Sequence, residues 1–365
     1  MRILILNWRD LKNPRAGGAE VLTHEIAKRL VSRGDHVEWF SATYPGAPST
    51  EEVDGVRIVR GGRQWTVHWQ AFMRYRGNLR ARFDVVVDEV NTVPFFTPLW
   101  ADIPVFMLIY QLAREVWWYE SPFPINALGY LLEPIYLRCY RRTPVFTISA
   151  STSNDLGRLG FSGPVTIVPI GVDASLQAVG RKAAVPTFVY VGRVSRSKRI
   201  GDILLAFANF RKAEASARLW VIGQGPPNYV RKLKMTADRL GLRRTVSFFG
   251  QLSAAEKNRR LGEAHVLLMT SVREGWGMVV SEANACGTPA VVYDVPGLRD
   301  SVRNGDTGLV VGATPEELTA GMLLLWRDKD LYRRLADQAL AASHSASFDT
   351  TASIIRKEIE AGLLE

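Results

Sequence analysis

Short runs of apolar residues alternate with helical patterns along the whole chain. In the first half the runs cover residues 3–7, 37–41, 85–88, 105–110 and 145–149. They lack the polar alternation of a strand with one exposed face, which indicates strands that are buried on both faces. Because helical patterns separate the runs, the spacing predicts a parallel sheet with helices on both sides.

The alternation fades near residues 169–186, where small and turn-forming residues collect as they do in a linker. It resumes with apolar runs at 188–191, 219–222, 246–249, 266–269 and 290–293. A length of 365 residues agrees with two domains. We therefore predict two doubly wound α/β domains, with these boundaries: an N-terminal domain over 1–172, a linker over 173–186, a C-terminal domain over 187–345, and a final helix over 346–365 that crosses back to the first domain.

Composition narrows the class of partner without choosing one. The formal charge of +10 and the isoelectric point near 9.7 favour an anionic partner, which can be nucleic acid, an acidic membrane surface or a phosphorylated small substrate. The two cysteines, Cys139 and Cys286, lie far apart and lack metal-ligand spacing, so we expect a reducing, cytoplasmic compartment. Prolines interrupt the longest apolar stretch, 93–110, which argues against a membrane-spanning helix there.

Two loops at predicted strand ends carry groups that suit an anion. In open parallel sheets, ligands bind beyond the carboxyl ends of the strands. Gly17 and Gly18 follow the first strand and precede a helix, whose N-terminus can bind phosphate, although a plain glycine turn is the alternative. Arg193 and Lys198 follow a strand of the second half and could grip a diphosphate, unless they are ordinary solvated cations.

The run "REGWGMVVSEANACGTPAVV" carries two carboxylates around a predicted helix start. Glu274 begins the loop and Glu282 lies one turn into the helix, where it can accept hydrogen bonds from a ribose diol. Each could instead be a solvated glutamate. The third glycine of a dinucleotide fingerprint is replaced by Asn228 in "VIGQGPPNYV", so that loop is interpreted as a tight turn. Together these features favour a nucleotide-sugar site.

The chain resembles a known family. The order of "GGAE", "GRVSRSK", "VIGQGP" and "REGWGMVVSEANACGTPAVV" is similar to that of glycosyltransferase family 4, the group 1 retaining transferases of the GT-B fold. The resemblance covers nearly the whole chain. It implies two Rossmann-like domains facing an interdomain cleft, and a UDP- or GDP-activated sugar donor bound mainly by the C-terminal domain. It also implies an acceptor on the N-terminal domain and a front-face reaction that needs no metal or other cofactor.

The resemblance also implies a role for each matching residue. Gly17 and Gly18 would line the donor diphosphate, Glu274 would contact the transferred sugar and Glu282 the ribose. Arg193 and Lys198 would hold the diphosphate from the other side. The remaining donor contacts would come from the base-binding loop and the helix start: Gly250, Leu252, Gly275, Gly277, Met278, Val279 and Val280.

The chain departs from the family pattern after the strand "PVFMLIY". Members often place a histidine there, near the sugar and the acceptor, and this chain has Tyr110 or Gln111. Either Tyr110 supplies the catalytic hydrogen bond, or the acceptor chemistry differs, or the activity is altered. The alternative functions are a GT-B nucleotide-sugar epimerase or hydrolase and, less favoured, a nucleic-acid-binding protein. We expect no nucleic acid partner, because the arginines are spread over both domains.

The acceptor side is described by weaker patterns. The segment 64–83 intersperses Arg74, Arg76, Arg80 and Arg82 among aromatic residues, which suits an anionic membrane surface at the inner face. The alternative is a helix whose aromatic residues pack on the sheet. A lipid-linked, glycoconjugate or small-molecule acceptor is expected, and the aromatic stretch 116–124 is interpreted as an acceptor lip or as core.

Two acidic pairs have a simpler explanation than catalysis. Asp328 and Asp330 form a D-x-D pattern, but they lie between two predicted helices, where a helix N-cap is favoured over a metal site. Asp88 and Glu89 close a strand, where they could line an acceptor cleft or be solvated. We predict no metal site.

Overall fold

The computed structural model describes residues 1–79, 81–172, 181–343 and 347–364. They form two units. The first comprises Met1–Arg114, Leu128–Gly171 and Ser347–Glu365, and the second comprises Glu115–Ala127 and Val172–Ala346. The predicted first domain, 1–172, is one continuous stretch, whereas residues 115–127 group with the second unit. Residues 173–180 of the predicted linker lie outside the described part of the chain.

The first unit is built on an eight-stranded sheet with the order β3-β4-β2-β1-β5-β6-β7-β8. All neighbouring strands are parallel except β3 and β4, which form an antiparallel hairpin at the edge. The strands are β1 (Arg2–Leu6), β2 (His36–Ser41), β3 (Thr50–Val53), β4 (Val56–Arg60), β5 (Val85–Glu89), β6 (Val105–Leu108), β7 (Val145–Thr147) and β8 (Val165–Ile167).

Helices accompany this sheet along the first part of the chain. They are α1 (Gly18–Ser32), α2 (Val67–Arg74), α3 (Val116–Glu120), α4 (Ile125–Tyr136) and α5 (Ala150–Arg158), with 3-10 turns at Thr97–Leu99 and Leu137–Tyr140. Of these, α3 belongs to the second unit, and α4 belongs to the first unit from Leu128 onward. The central strands have buried side chains on both faces, because helices can cover both sides of a parallel sheet.

The second unit is built on a six-stranded parallel sheet with the order β11-β10-β9-β12-β13-β14. This is the doubly wound arrangement, whose topological switch point falls between the first strand and the fourth. The strands are β9 (Thr187–Val191), β10 (Arg218–Ile222), β11 (Val246–Gly250), β12 (Val266–Met269), β13 (Ala290–Tyr293) and β14 (Gly308–Val311). The prediction of two parallel-sheet α/β domains is confirmed.

Seven helices cover this second sheet among the described residues, and an eighth follows in the first unit. They are α6 (Ile200–Phe210), α7 (Pro227–Arg239), α8 (Ala254–Glu263), α9 (Met278–Ala285), α10 (Leu298–Ser301), α11 (Pro315–Arg327) and α12 (Lys329–Ser343), and then α13 (Phe348–Gly362). A continuous core of buried aliphatic and aromatic side chains lies between sheet and helices. Because that core holds the strands rigidly, the loops at their ends are fixed in place.

Candidate functional site

The candidate site lies at the switch point of the second sheet. The loop after β9 carries Arg193 and Lys198, and the loop after the adjacent strand β12 carries Glu274. Several hydrogen bonds join these loops. The Val272 N–H donates to the Ser197 carbonyl over 2.8 Å, and the Thr270 hydroxyl donates to the Lys198 carbonyl over 2.8 Å. The sheet order therefore brings together residues that are more than 70 positions apart in the chain.

Lys198 and Glu274 form an ion pair in this site. The Lys198 ammonium donates to Glu274 Oε1, and the Ser271 hydroxyl donates to the same oxygen over 2.7 Å. The side chains are only 14% and 15% exposed. Partial burial strengthens the attraction between the charges, because the local dielectric is lower than that of water. Both residues were predicted to contact the donor, and the structure places them side by side.

Glu282 has a lysine partner that the sequence patterns did not indicate. It lies one turn into α9, and its Oε2 atom accepts a hydrogen bond from Lys257 Nζ on α8 over 2.6 Å. The two side chains are 24% and 25% exposed. The partner was missed because it comes from the neighbouring helix, and nothing in its local sequence distinguishes Lys257 from a surface lysine.

Helix α9 begins at the site with a glycine in the left-handed region. Gly277 has φ 84° and caps the helix, whose first residues are Met278 and Val279. The N–H of Val280 donates to the Gly277 carbonyl over 2.8 Å, so that predicted phosphate contact is already used within the turn. The N–H groups of Met278 and Val279 begin the helix, where the macrodipole favours an anion.

Close backbone packing holds the loop after β9 in place. A Cβ atom on Gly225 would lie 1.9 Å from the Val194 carbonyl oxygen, and one on Gly223 would lie 1.8 Å from the Gly192 carbonyl oxygen. The Val194 N–H donates to the Gln224 carbonyl over 2.7 Å. The motif "GQGP", predicted to be a tight turn, therefore supports the loop that carries Arg193 and Lys198.

The predicted base-binding loop is joined to this support. Gly250 ends β11 with φ 69°, and its carbonyl accepts the Gly223 N–H over 2.7 Å. Leu252 follows and is partly buried against the core of the unit. Helix α8, which supplies Lys257, starts at Ala254. A short stretch of chain therefore connects the predicted base contacts to the partner of Glu282.

Residues 115–127 bring two acidic side chains to the loops after β9 and β12. Glu120 accepts the Ser197 N–H over 3.0 Å, and Glu115 accepts a hydrogen bond from Arg273 over 2.8 Å. Burial alone would raise the pKa of Glu120, but hydrogen bonds from Ser197 and the charge of Arg193 lower it. The Arg193 side chain is exposed. These contacts were not predicted, since only the fold brings them together.

In the first unit, Gly17 and Gly18 start α1 as expected. The Gly17 N–H donates to Glu20 Oε2 over 2.7 Å, and Glu20 also accepts hydrogen bonds from Arg9 at 2.8 Å and Asn91 at 2.9 Å. The first amide of the glycine pair is therefore occupied by a carboxylate of its own helix. Gly18, the first residue of α1, is exposed.

Tyr110 lies in a buried chain of polar groups. It is 7% exposed, its hydroxyl lies 2.6 Å from the Thr23 hydroxyl, and Thr23 lies 2.7 Å from Glu89 Oε2. Burial raises the pKa of Tyr110 well above its ordinary value, and burial with the nearby charge of Glu20 does the same for Glu89. Tyr110 therefore contacts Thr23 directly, and Gln111 follows it.

The acidic pairs set aside in the sequence are now explained. Asp328 Oδ1 accepts the Leu331 N–H over 2.9 Å and caps α12, as predicted. Solvation of Asp88 and Glu89 is wrong, because both side chains are fully buried. Asp88 accepts hydrogen bonds from Thr97 and Tyr140. Within the described ranges, no group of three or more His, Cys, Asp or Glu side chains is arranged to hold a metal ion.

Comparison with solved structures shows which fold the chain has. Sucrose-phosphate synthase from Thermosynechococcus elongatus matches with a TM-score of 0.83 and 19% identity over 98% of each chain. Anabaena HepE, solved with UDP-glucose, matches with a TM-score of 0.78 and 18% identity over 99% of this chain and 100% of that one. Likeness at such low identity shows the fold alone. The fold is GT-B, built from two parallel-sheet α/β domains.

Sequence families identify the group within that class. The family described as Glycosyl transferases group 1 matches residues 173–341, and the one described as Glycosyltransferase Family 4 matches residues 16–176. Together they span residues 16–341. The chain belongs to the group 1 glycosyltransferases of family 4, which confirms the resemblance seen in the sequence motifs.

Two curated relatives are 27% and 25% identical to this chain. The D-inositol 3-phosphate glycosyltransferase of Segniliparus rotundus is 27% identical over 212 residues, which are 54% of this chain and 47% of that protein. The glycogen synthase of Mycobacterium tuberculosis (strain CDC 1551 / Oshkosh) is 25% identical over 345 residues, 85% of this chain and 82% of that protein. This chain therefore spans about half the length of the first relative.

Proposed function

We propose that the protein transfers a sugar from a UDP- or GDP-activated donor to an acceptor hydroxyl. The observation that carries the proposal is the pair of ion-paired carboxylates, Glu274 with Lys198 and Glu282 with Lys257, at the switch point of the second sheet. Ligands of doubly wound sheets bind at this place. Anabaena HepE was solved in complex with UDP-glucose, which supports a UDP-sugar as the donor.

Each group in the site has a task in this proposal. Arg193 and Lys198, with the N-terminus of α9 at Gly277 to Val279, hold the donor diphosphate and stabilise its charge as it leaves. Glu274 contacts hydroxyls of the sugar, and Glu282 accepts hydrogen bonds from the ribose. Gly250, Leu252 and Gly275 lie beside the base and the phosphates.

The proposed reaction retains the configuration of the sugar. The bond between the anomeric carbon and the diphosphate oxygen breaks, the acceptor oxygen bonds to that carbon from the same face, and the acceptor proton passes to a donor phosphate oxygen. Because Arg193, Lys198 and the helix start supply positive charge, the proposal needs no metal ion. Tyr110 is proposed to replace the histidine of the family, and its hydroxyl is bound to Thr23 in the structure.

The acceptor is proposed to bind the first unit and to be a glycoconjugate, a lipid-linked sugar or a small molecule. An anionic membrane surface is proposed as a partner, on the cytoplasmic face. The support is the exposure of Trp65 and Trp69 next to exposed arginines at Arg63 and Arg76. Arg80 of the predicted basic helix lies outside the described residues. No described helix has the length and apolar content required to span a bilayer.

Thermal unfolding with UDP, GDP and short duplex DNA tests the proposal. A ligand present at 100 times its dissociation constant stabilises the folded state by about 2.7 kcal/mol. We expect UDP or GDP to raise the unfolding temperature and DNA to leave it unchanged. Stabilisation by DNA but by neither nucleotide would contradict the proposal.

A second measurement separates transfer from related reactions. Release of UDP or GDP from the matching nucleotide-sugar is followed with and without candidate acceptors. A transferase releases nucleotide faster when its acceptor is present, whereas a hydrolase is indifferent to the acceptor. An epimerase changes the sugar without releasing nucleotide.

A further inference from the structure

Helix α4 presents an apolar face to solvent in the first unit. Leu128, Leu131, Leu132 and Ile135 are 53%, 63%, 48% and 53% exposed. Spacings of three and four residues place them on one side of the helix, within a stripe about 100° wide. A surface helix normally turns such a stripe toward the core, and exposed apolar stripes mark interaction sites. These four residues are called the α4 face below.

The opposite side of the helix is anchored, so the orientation is fixed. Glu133 is 2% exposed, and its carboxylate accepts the N–H groups of Ala113 at 2.6 Å and Arg114 at 2.7 Å. The Tyr136 hydroxyl donates to the Thr92 carbonyl over 2.7 Å. The carboxylate of α4 is therefore turned inward, and the α4 face carries neither charge nor hydrogen-bonding groups.

A second exposed stripe lies on α2, which neighbours α4 through the loop that contains Phe95 and Phe96. His68 of α2 contacts Phe95 with 4.5 Å between ring centroids, and Phe96 contacts Tyr136 of α4 at 6.3 Å. The exposed stripe consists of Trp69 (63%) and Met73 (52%) of the helix and Trp65 (80%), which precedes its first residue. Leu99 of the same loop region is 70% exposed.

Exposed cations flank both stripes. Arg63 and Arg76 bracket α2, while Arg138 and Arg142 follow α4. Apolar and tryptophan side chains flanked by arginines are the composition of elements that lie in the headgroup layer of an anionic membrane. The formal charge of +10 acts in the same direction. A protein partner would be expected to match some hydrogen-bonding groups, which the α4 face does not offer.

We propose that the α4 face inserts into the interfacial layer of an anionic membrane and, together with the α2 stripe, attaches the first unit to it. This inference rests on the proposed membrane partner but not on sugar transfer. It assigns the apolar contact to α4, whereas the basic aromatic pattern in the sequence indicated only α2. An acceptor carried on a lipid would then be reached without leaving the bilayer surface.

Vesicle cosedimentation of the full chain tests the assignment. The probes are vesicles of equal parts phosphatidylglycerol and phosphatidylcholine, compared with phosphatidylcholine alone. We expect binding to the anionic vesicles, weakened by high salt because the arginine contribution is screened. The double variant Leu131→Gln and Ile135→Gln should bind at least about tenfold more weakly, because it removes apolar contact without adding charge.

Matched variants keep the result interpretable. Met235→Gln and Leu324→Gln replace apolar side chains that are 50% and 46% exposed on the second unit, and this control should bind vesicles as the unchanged protein does. Unfolding temperature and its shift with UDP should be the same for all variants. If the unchanged protein binds anionic vesicles but neither UDP nor GDP, the transferase proposal is overturned and the membrane proposal is not.

Three results would overturn the assignment. The first is unchanged vesicle binding by the α4 double variant. The second is loss of binding only in a Trp65→Gln and Trp69→Gln variant, which would restrict the contact to α2. The third is absence of vesicle binding by the unchanged protein. In that case, analytical ultracentrifugation that shows a dimer, dissociated by the α4 double variant, would identify a second copy of the chain as the partner of the α4 face.

Discussion

At the scale of single residues, the site is organised by its lysines. Lys198 and Lys257 each neutralise a glutamate in a partly buried setting, so each carboxylate is held in one orientation before a ligand arrives. Fixing these side chains in advance reduces the entropy that binding must overcome. The lysines therefore supply positive charge to the site and also hold the two glutamates in a fixed orientation.

Replacing Lys198 with methionine keeps the length of the side chain and removes its charge. We expect the dissociation constant for UDP or GDP to rise at least about tenfold, which corresponds to about 1.4 kcal/mol. Isothermal titration calorimetry measures the change. Lys212→Met, an exposed lysine of the same unit, is the control and should bind as before. If Lys198→Met binds the nucleotide with unchanged affinity, the diphosphate lies elsewhere. Glu274→Gln, by contrast, should mainly lower turnover.

Glu282 is expected to sense the ribose, and a sugar-modified nucleotide tests this directly. UDP should bind more tightly than 2′-deoxy-UDP, because the missing hydroxyl leaves a carboxylate hydrogen bond unmade. In Glu282→Gln the difference between the two ligands should shrink by about 1 kcal/mol. Lys257→Met should shrink it as well, since the lysine holds Glu282 in place. A difference that persists in both variants would remove Glu282 from the ribose contact.

His265 makes the second unit sensitive to acid. Burial, with the charges of Lys182 and Lys329, lowers its pKa from 6.5 to about 4. As the pH falls, His265 takes up a proton in the unfolded chain before it does so in the folded one. The free energy of unfolding is therefore unaffected by His265 above pH 6.5, and it decreases as the pH falls from 6.5 toward 4. The full shift in pKa corresponds to a loss of about 3 kcal/mol in the free energy of unfolding. Because the side chain is partly exposed, we expect a loss of about 2 kcal/mol.

Denaturant unfolding between pH 7 and pH 4 measures this loss. In His265→Asn the amide oxygen can still accept the Thr187 N–H, which lies 3.1 Å from His265 Nδ1, but the side chain no longer titrates. The variant should therefore lose less stability over this range than the unchanged protein. Identical pH profiles would assign the acid sensitivity to other groups.

At the scale of elements, the loop after β9 depends on the turn after β10. Gly225→Ala would place a Cβ atom 1.9 Å from the Val194 carbonyl oxygen, and because the contact is with backbone, the loop itself must shift. We expect a loss of about 2–4 kcal/mol in stability together with weaker nucleotide binding. Both are read from thermal unfolding with and without UDP.

The control for this change is Gly201→Ala in α6. A Cβ atom there meets nothing within 4 Å, so alanine should be neutral or stabilising by about 0.5 kcal/mol. Nucleotide binding should be unchanged. If Gly225→Ala lowers stability without affecting UDP binding, the turn supports the fold but does not position the donor loop.

The elements that could be predicted from the sequence are those buried on both faces. Each apolar run corresponds to a strand of a parallel sheet, because a buried strand requires apolar side chains on both sides. The hairpin of β3 and β4 was not predicted, although the Asp54-Gly55 pair between the strands is a turn signal. Its first strand is an exposed edge with charged residues, and such strands lack the apolar run.

The site could be predicted only where chain order determines position. Glu274, Glu282, Arg193 and Lys198 lie at strand or helix ends, so the topology alone brings them to one edge of the sheet. Their partners Lys257 and Glu120 come from other elements, and side-chain contacts across elements leave no local pattern. Tyr110 was placed correctly at a strand end, but only the packing shows that its hydroxyl is bound to Thr23.

At the scale of the whole molecule, the first unit is completed by the far end of the chain. Helix α13 buries Ile355 and Ile359, and Arg356 donates to Asp35, which also accepts the N-terminal ammonium over 2.7 Å. A Cβ atom on Gly171 would lie 2.1 Å from the Phe348 nitrogen, so the helix start packs directly on that glycine. All the residues named in these contacts belong to the first unit.

Disrupting α13 should therefore weaken one unit and spare the donor site of the other. Ile359→Asp places a charge at a position that is 0% exposed, and we expect the first unit to lose about 3–5 kcal/mol. Hydrogen exchange followed by mass spectrometry should show faster exchange in β1, β2 and α1, while β9 and β12 exchange as before and UDP affinity is unchanged. The control is Lys357→Asp, an exposed position of the same helix, which should leave exchange in both units unaltered. Loss of UDP binding in Ile359→Asp would contradict this expectation, because Ile359 belongs to the first unit.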